Sequence, residues 1–196
     1  MMNNKILLVS IVFAAMTQLV NAQSALTSVQ PALPAVDKSP LDMSYYPVDY
    51  PVLKVQDKAS EPCVARVVYS RPKKEGRPIF GELVEFGKLW RMGANEATEL
   101  EFYKPVTIAG KKIAKGRYTV YAIVNEKTWT IILNKETDIW GSFKYNQAKD
   151  VLRTEVPVQK LDMPVENLAM TFDKEKGIPQ LVIAWDNIKV ALPFNP

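Results

Sequence analysis

From Cys63 onward, apolar and polar residues alternate in short runs separated by turn-forming residues. That is the pattern of antiparallel strands with one buried face. In CVARVVYS (63–70), Ala65, Val67 and Tyr69 share a face. ATELEFY (97–103) sends Leu100 and Phe102 inward and Glu99, Glu101 and Tyr103 outward. VTIAGKKI (106–113) reads as a hairpin turning at Ala109-Gly110-Lys111, and GRYTVYAIV (116–124) as a strand apolar on both faces. WTIILNK (129–135) turns Trp129, Ile131 and Leu133 to one side, and VLRTEVPV (151–158), ENLAMTFD (166–173) and LVIAW (181–185) follow. The charged run 173–177 reads as a turn, and Asp186-Asn187 as a two-residue hairpin turn into IKVALPF (188–194). The pattern predicts an all-β fold over residues 63–196, an antiparallel β-sandwich of jelly-roll or Ig-like kind.

Two stretches break the rhythm, 71–96 and 136–149. Each is long for a connection in a compact domain, which marks it as functional or as a carrier of short helical turns. Before the strands, residues 23–62 read as an N-terminal arm. Its first part, 23–40, is rich in Pro, Ala and Ser and lacks a period. Its second part, 41–62, interleaves Tyr45, Tyr46 and Tyr50 with Pro47 and Pro51. These prolines argue against a helix and for an extended segment lying on the domain through its tyrosines.

Residues 1–22 have the layout of a secretory signal peptide: Lys5, an apolar stretch over 6–16, and Val20-Asn21-Ala22 before Gln23. The apolar stretch is short for a bilayer span, which takes about 20 residues. The expectation is an exported protein, periplasmic or extracellular, with no integral membrane segment after signal removal.

Composition narrows the chemistry. The 196 residues contain no His and one Cys. This excludes His-based nucleophile systems, His metal sites and an intramolecular disulfide, so neither a metal nor a cofactor is expected. Cys63, at the start of an apolar run, reads as a buried free thiol. The net charge of +4 is spread over lysine pairs such as Lys73-Lys74 and Lys111-Lys112. No basic stripe or nucleic-acid-binding motif accompanies it, so no nucleic-acid partner is expected.

The run YSRPKKEGRPIFGELVEFGKLWRMGANEAT (69–98), with GKKIAKGRYTVYAIV (110–124), WTIILNK (129–135) and DIWGSF (138–143), closely resembles a bacterial exported family. That family is the domain of unknown function 2911 (DUF2911), common in Bacteroidetes. The resemblance covers roughly residues 60–194. It implies an exported all-β domain and assigns no activity.

Candidate chemistry therefore rests on the two long loops. Arg71, Arg77 and Arg91 lie among the glycines of 71–96, and their planar forks suit carboxylates, phosphates and sulfates. Asn95 and Glu96 add an amide and a carboxylate, and the second loop offers Asp138 and Trp140. With both loops at one end of the sandwich, Trp90 and Trp140 would wall a pocket having Arg91, Asn95 and Glu96 at its base. The same residues also suit a loop brace, with Arg91 or Arg71 bridging Glu96. The functional expectation is a non-catalytic binding or accessory module of the envelope, taking a glycan or a small anionic ligand. The alternatives are a glycan hydrolase using carboxylates among Glu82, Glu85, Glu96 and Asp138, and a structural protein of an envelope assembly.

The tripartite layout of residues 1–22 predicts a mature chain beginning at or near Gln23. Intact-mass measurement of the protein from an envelope fraction checks this, and retention of Met1 would refute it.

Overall fold

The computed structural model describes residues 33–196; the signal peptide assigned to 1–22 and the spacer residues 23–32 lie outside the described residues. Residues 37–196 form one unit, and it is all-β. Eleven strands are present among the described residues: β1 (Leu41–Tyr46), β2 (Ala65–Ser70), β3 (Leu89–Trp90), β4 (Glu99–Phe102), β5 (Val106–Ile108), β6 (Lys111–Ile113), β7 (Gly116–Val124), β8 (Thr128–Asn134), β9 (Asp150–Pro157), β10 (Gln159–Glu175) and β11 (Ile178–Pro193). One sheet runs β1-β2-β4-β7-β8-β9, with β3 paired to β7; β10-β11 and β5-β6 are separate hairpins.

Register explains why the alternating runs make a core. Ala65 stands opposite Phe102, Val67 opposite Leu100, Ala122 opposite Ile131, and Val124 opposite Trp129. Each apolar set therefore falls on one face of the main sheet. The long β10–β11 hairpin supplies the facing layer, with Phe172 opposite Leu181 and Met170 opposite Ile183. All of these side chains belong to one buried cluster. The result is a sandwich-like packing of two unequal layers.

The central strands β7 and β8 are apolar on both faces because both faces are covered. On the far side, Tyr121 and Ile132 form a second cluster with Ala97, and Ile139 and Tyr145 of loop 136–149 pack on it. Asn134, almost fully buried, holds both ends of that loop. Its Nδ2 donates to the Asn146 carbonyl (3.0 Å) and to Asp150 Oδ1 (2.8 Å), and its Oδ1 accepts from the Glu136 N–H (2.9 Å). The expected short helical turn in this loop is a 3-10 turn at Gln147–Lys149.

Two local expectations need correction. Asp186-Asn187 is not a hairpin turn: β11 runs straight through it, and Asp186 (φ 51°) lies opposite Val165 where the register with β10 shifts. Buried positions run 181, 183, 185 and then 188, 190, 192. The period slips by one residue without reversing, as a β-bulge requires. Asp186 takes the same left-handed backbone that a tight turn would need, so its identity does not separate the two outcomes. The reversal lies instead at Lys176 (φ 51°) and Gly177 (φ 83°), within the predicted charged turn. The Ala109-Gly110 turn, with φ of 48° and 76°, is where the alternation placed it.

The second correction concerns part of 41–62. Leu41–Tyr46 is extended as expected, an edge strand paired with β2, but a short helix, α1 (Tyr50–Val55), follows with Pro51 in its first turn. Proline is tolerated there because a first-turn N–H has no intrahelical acceptor to lose. Tyr46 is buried edge-on against Phe194 at 5.5 Å between ring centres. Cys63 is half-buried, its Sγ facing the Ala65 carbonyl at 3.5 Å, and burial pushes its pKa up.

Tyr145 donates to Asp150, and Arg153 Nη1 reaches both. Burial, then the bond to Asp150, pushes the Tyr145 phenol up to about 12. Tyr103 rises to about 12 chiefly through burial, then through Glu101. An unfolded tyrosine ionises near pH 10, so between about pH 10 and 12 the unfolded chain sheds protons that the fold retains. Stability is therefore expected to be full below about pH 10 and to fall as pH rises toward 12. Melting curves across that range test it, and Tyr145→Phe should make the fall shallower.

Candidate functional site

The segment LWRMGANEAT is held by short polar contacts rather than by ion pairs. Ser70 Oγ donates to the Ala94 carbonyl (2.7 Å) and accepts from the Ala94 N–H (2.6 Å). Thr98 Oγ1 donates to the Met92 carbonyl (2.8 Å), and the Thr98 N–H donates to the Arg91 carbonyl (3.1 Å). Gly93 allows this approach, since a Cβ there would meet Ser70 Oγ at 2.6 Å. Met92 (φ 60°) and Asn95 (φ 57°) are held left-handed, a conformation costing of order 1–3 kcal/mol that the surrounding bonds must offset.

Beneath this segment lies an aromatic cluster. Trp90 stacks on Trp185 at 6.0 Å between ring centres and 19° between planes, and meets Trp129 edge-on at 5.8 Å. Phe80 touches all three. Trp90 is thus a core residue, 7% exposed, with only a small part of its ring reaching the surface.

Above the cluster opens a cleft of about 330 Å³. Lys38, Lys73, Glu75, Arg77, Trp90 and Arg91 are in its wall. The Lys74–Arg77 turn, closed by the Arg77 N–H donating to the Lys74 carbonyl (3.0 Å), carries Glu75 (φ 49°) and Gly76 (φ 72°) at its tip. It is bound to β10: the Lys74 N–H donates to the Glu166 carbonyl (2.8 Å), and the Glu75 N–H to Glu166 Oε1 (2.8 Å). Arg77 Nε donates to the Lys74 carbonyl (3.0 Å) and takes no carboxylate.

Arg91 is the least compensated charge in this wall. It is half-buried, it forms no ion pair among the described residues, and its buried Nε has no acceptor there. Burial pushes its pKa down from the ordinary guanidinium value. It also borders a second, smaller cleft of about 160 Å³ with Lys88 and Ser142.

The structure divides the sequence-derived set. Arg77, Trp90 and Arg91 share the cleft. Arg71 lies apart, its Nη1 on Asp42 Oδ2 (3.0 Å) and its Nε on the Leu168 carbonyl (3.1 Å). Neither Arg71 nor Arg91 pairs with Glu96, so the expected arginine brace is replaced by Ser70 and Thr98. Glu96 and Asp138 border a different groove, beside Leu41 and Ile139. Asp138 is bound there by Arg117 Nη2 (2.7 Å), and its N–H donates to Glu99 Oε1 (2.8 Å). Asn95 contributes its carbonyl: around the Glu96–Trp140 bridge, the two loops are stitched by Gly141 N–H to Asn95 O (2.9 Å) and Ala97 N–H to Ile139 O (2.8 Å). The Trp140 side chain is 61% exposed and does not face Trp90 across a pocket.

The cleft wall also holds Lys38, Lys73, Glu75 and Trp185, which the sequence pattern does not single out. Lys73, Glu75 and Arg77 alternate through a Gly-containing turn, a spacing that could have grouped them. Lys38 comes from the arm and Trp185 from β11, and no local signal ties either to the loop. Among the described residues no three acidic or Cys side chains are grouped as a metal site would need.

Ser70→Ala leaves two Ala94 backbone groups unpaired and is expected to cost about 1–3 kcal/mol. An Arg91→Ala, Glu96→Gln double-mutant cycle should show coupling within about 0.5 kcal/mol of zero. Urea denaturation of the single and double variants measures both, and strong coupling would restore the ion-pair brace.

No curated protein and no solved structure shows significant similarity to the chain. Residues 52–194, most of the sandwich, match a family model described as Protein of unknown function, and the chain belongs to that family, DUF2911.

Proposed function

We propose that this protein is an exported, non-catalytic binding module that takes a small anionic ligand in the cleft beside Arg91. The observation that carries this is Arg91 itself: a half-buried guanidinium with no carboxylate partner among the described residues, in a wall that also holds Lys38, Lys73 and Arg77. Structural arginines are ordinarily matched by carboxylates or carbonyls, as Arg71 and Arg117 are. A charge kept partly from water without such a match is suited to an anion, whose binding would offset its partial desolvation.

The cleft favours an anion over a neutral glycan. Sugar recognition through aromatic faces needs an exposed ring, but Trp90 and Trp185 are stacked on each other, 7% and 2% exposed. The exposed Trp140 does not line the cleft. Glu75 is the one carboxylate in the wall, so the cleft holds no facing carboxylate pair of the kind glycoside hydrolysis uses. Export rests on the sequence layout of residues 1–22. Among the described residues no helix is long and apolar enough to cross a membrane.

The test is ligand-induced stabilisation. A ligand at about a hundred times its Kd adds about 2.7 kcal/mol, several degrees in Tm for a domain of this size. Citrate is expected to raise the Tm of the wild-type protein and leave that of Arg91→Ala unmoved, with glucose inert on both. Equal shifts in wild type and variant would remove the cleft from consideration.

A further inference from the structure

The charge arrangement around the cleft says more than its sign. Arg91 is half-buried and borders both clefts, whereas Lys38, Lys73 and Arg77 are exposed. The wall thus has one half-buried, inner cation and three exposed, outer ones. Against these stands only Glu75, a surplus of three positive charges in about 330 Å³. One carboxylate on Arg91 would leave most of that surplus uncompensated, and one phosphate, at about −1.5 to −2, would still leave about a third to a half of it. Like charges drawn together around a partly desolvated space repel one another, and each anionic group placed among them relieves the repulsion.

The outer cations differ in freedom, which separates their roles. The Arg77 guanidinium is spent on the carbonyls of Lys73 and Lys74 and braces the turn. Lys38 and Lys73 make no ion pair and no side-chain hydrogen bond among the described residues, so each ammonium is available to a ligand. They approach the cleft from different parts of the chain, the segment before β1 and the turn docked on β10. Lysine ammoniums on flexible stems suit a second anionic group of variable position, whereas the buried arginine fixes the first.

We infer that the ligand of this cleft is a compact molecule bearing at least two anionic groups, one held by Arg91 and another by Lys38 and Lys73. This rests on the proposed anion-binding function and goes beyond it by setting the ligand's charge and dividing it between inner and outer cations. The groups are carboxylates or phosphates, since both accept from guanidinium and ammonium donors. The volume fits a small metabolite-sized molecule rather than a polymer segment.

Calorimetric titration of the wild-type protein with two matched pairs tests this. Acetate against citrate covers carboxylates, and glucose 6-phosphate against fructose 1,6-bisphosphate covers phosphates. The multiply charged member of at least one pair is expected to bind about tenfold tighter or more, and to weaken steeply with added salt. The double variant Lys38→Ala, Lys73→Ala, at exposed positions where folding is not at stake, should collapse that difference; Arg91→Ala should remove binding of both members. Equal affinity within both pairs, with dependence on Arg91 retained, would overturn the inference and leave the anion site standing. Binding indifferent to Arg91→Ala, or no binding by any of the four, would overturn the site as well.

Discussion

The stacking of Trp90 on Trp185, with Trp129 and Phe80 set edge-on around them, is the contact on which the rest of this structure depends. Its members come from β3, β11, β8 and the long loop, so it joins the main sheet to the β10–β11 layer and seats the loop on both. Aromatic pairs of this kind add about 0.5–1.5 kcal/mol each beyond the area they bury. Ile79, Val84 and Met92 of the segment 71–96 are buried in the same core, so the loop is seated along its length and not at Trp90 alone. The aromatic contact gives the loop a fixed floor.

That floor decides where the polar residues go. Once Trp90 is turned inward, the adjacent Arg91 is set at the edge of the cluster, and the backbone beyond it must pass close to Ser70. Gly93 permits the approach, and Ser70 and Thr98 satisfy the backbone groups it would otherwise leave unpaired. Because hydroxyls and peptide groups hold the segment, the Arg91 guanidinium is not needed for its stability. On the proposed reading, a side chain released from structural duty yet kept partly from water suits recognition of an anion, and the docking of the Lys74–Arg77 turn on β10 fixes the wall beside it.

The second long loop serves the fold in a different way. β7 and β8 are apolar on both faces, and loop 136–149 covers the face that β10–β11 cannot reach. Asn134 and the Tyr145–Asp150–Arg153 group fix its ends, and its backbone pairs with residues 95–97. The two loops are thus neighbours, as the sequence suggested; they meet through peptide groups and border two small grooves together, but the larger cleft is lined by the first loop without the second. Glu96 and Trp140 pair at that seam, and Glu96 and Asp138 border a groove that Arg91 does not.

The sequence by itself determined the central strands, because period-two alternation states directly which side chains leave water: Ala65 and Val67, Leu100 and Phe102, Trp129 and Ile131 all lie where their spacing puts them. It also singled out Arg77, Trp90 and Arg91, since arginines among glycines in a long loop are conspicuous. Left-handed backbone was legible at Asp186, but whether it makes a turn or a bulge depends on the partner strand, and β10 decided for a bulge. Pro51 argued against a helix until its place in a first turn made it harmless. Which arginine meets a carboxylate was decided by tertiary structure alone. Arg71 finds Asp42 and Arg117 finds Glu99 and Asp138 across strands and loops distant in sequence, while Arg91, half-buried in the cleft wall, finds none among the described residues. Ion pairing is set by distances of a few ångströms between separate elements, and no local pattern along the chain encodes those distances.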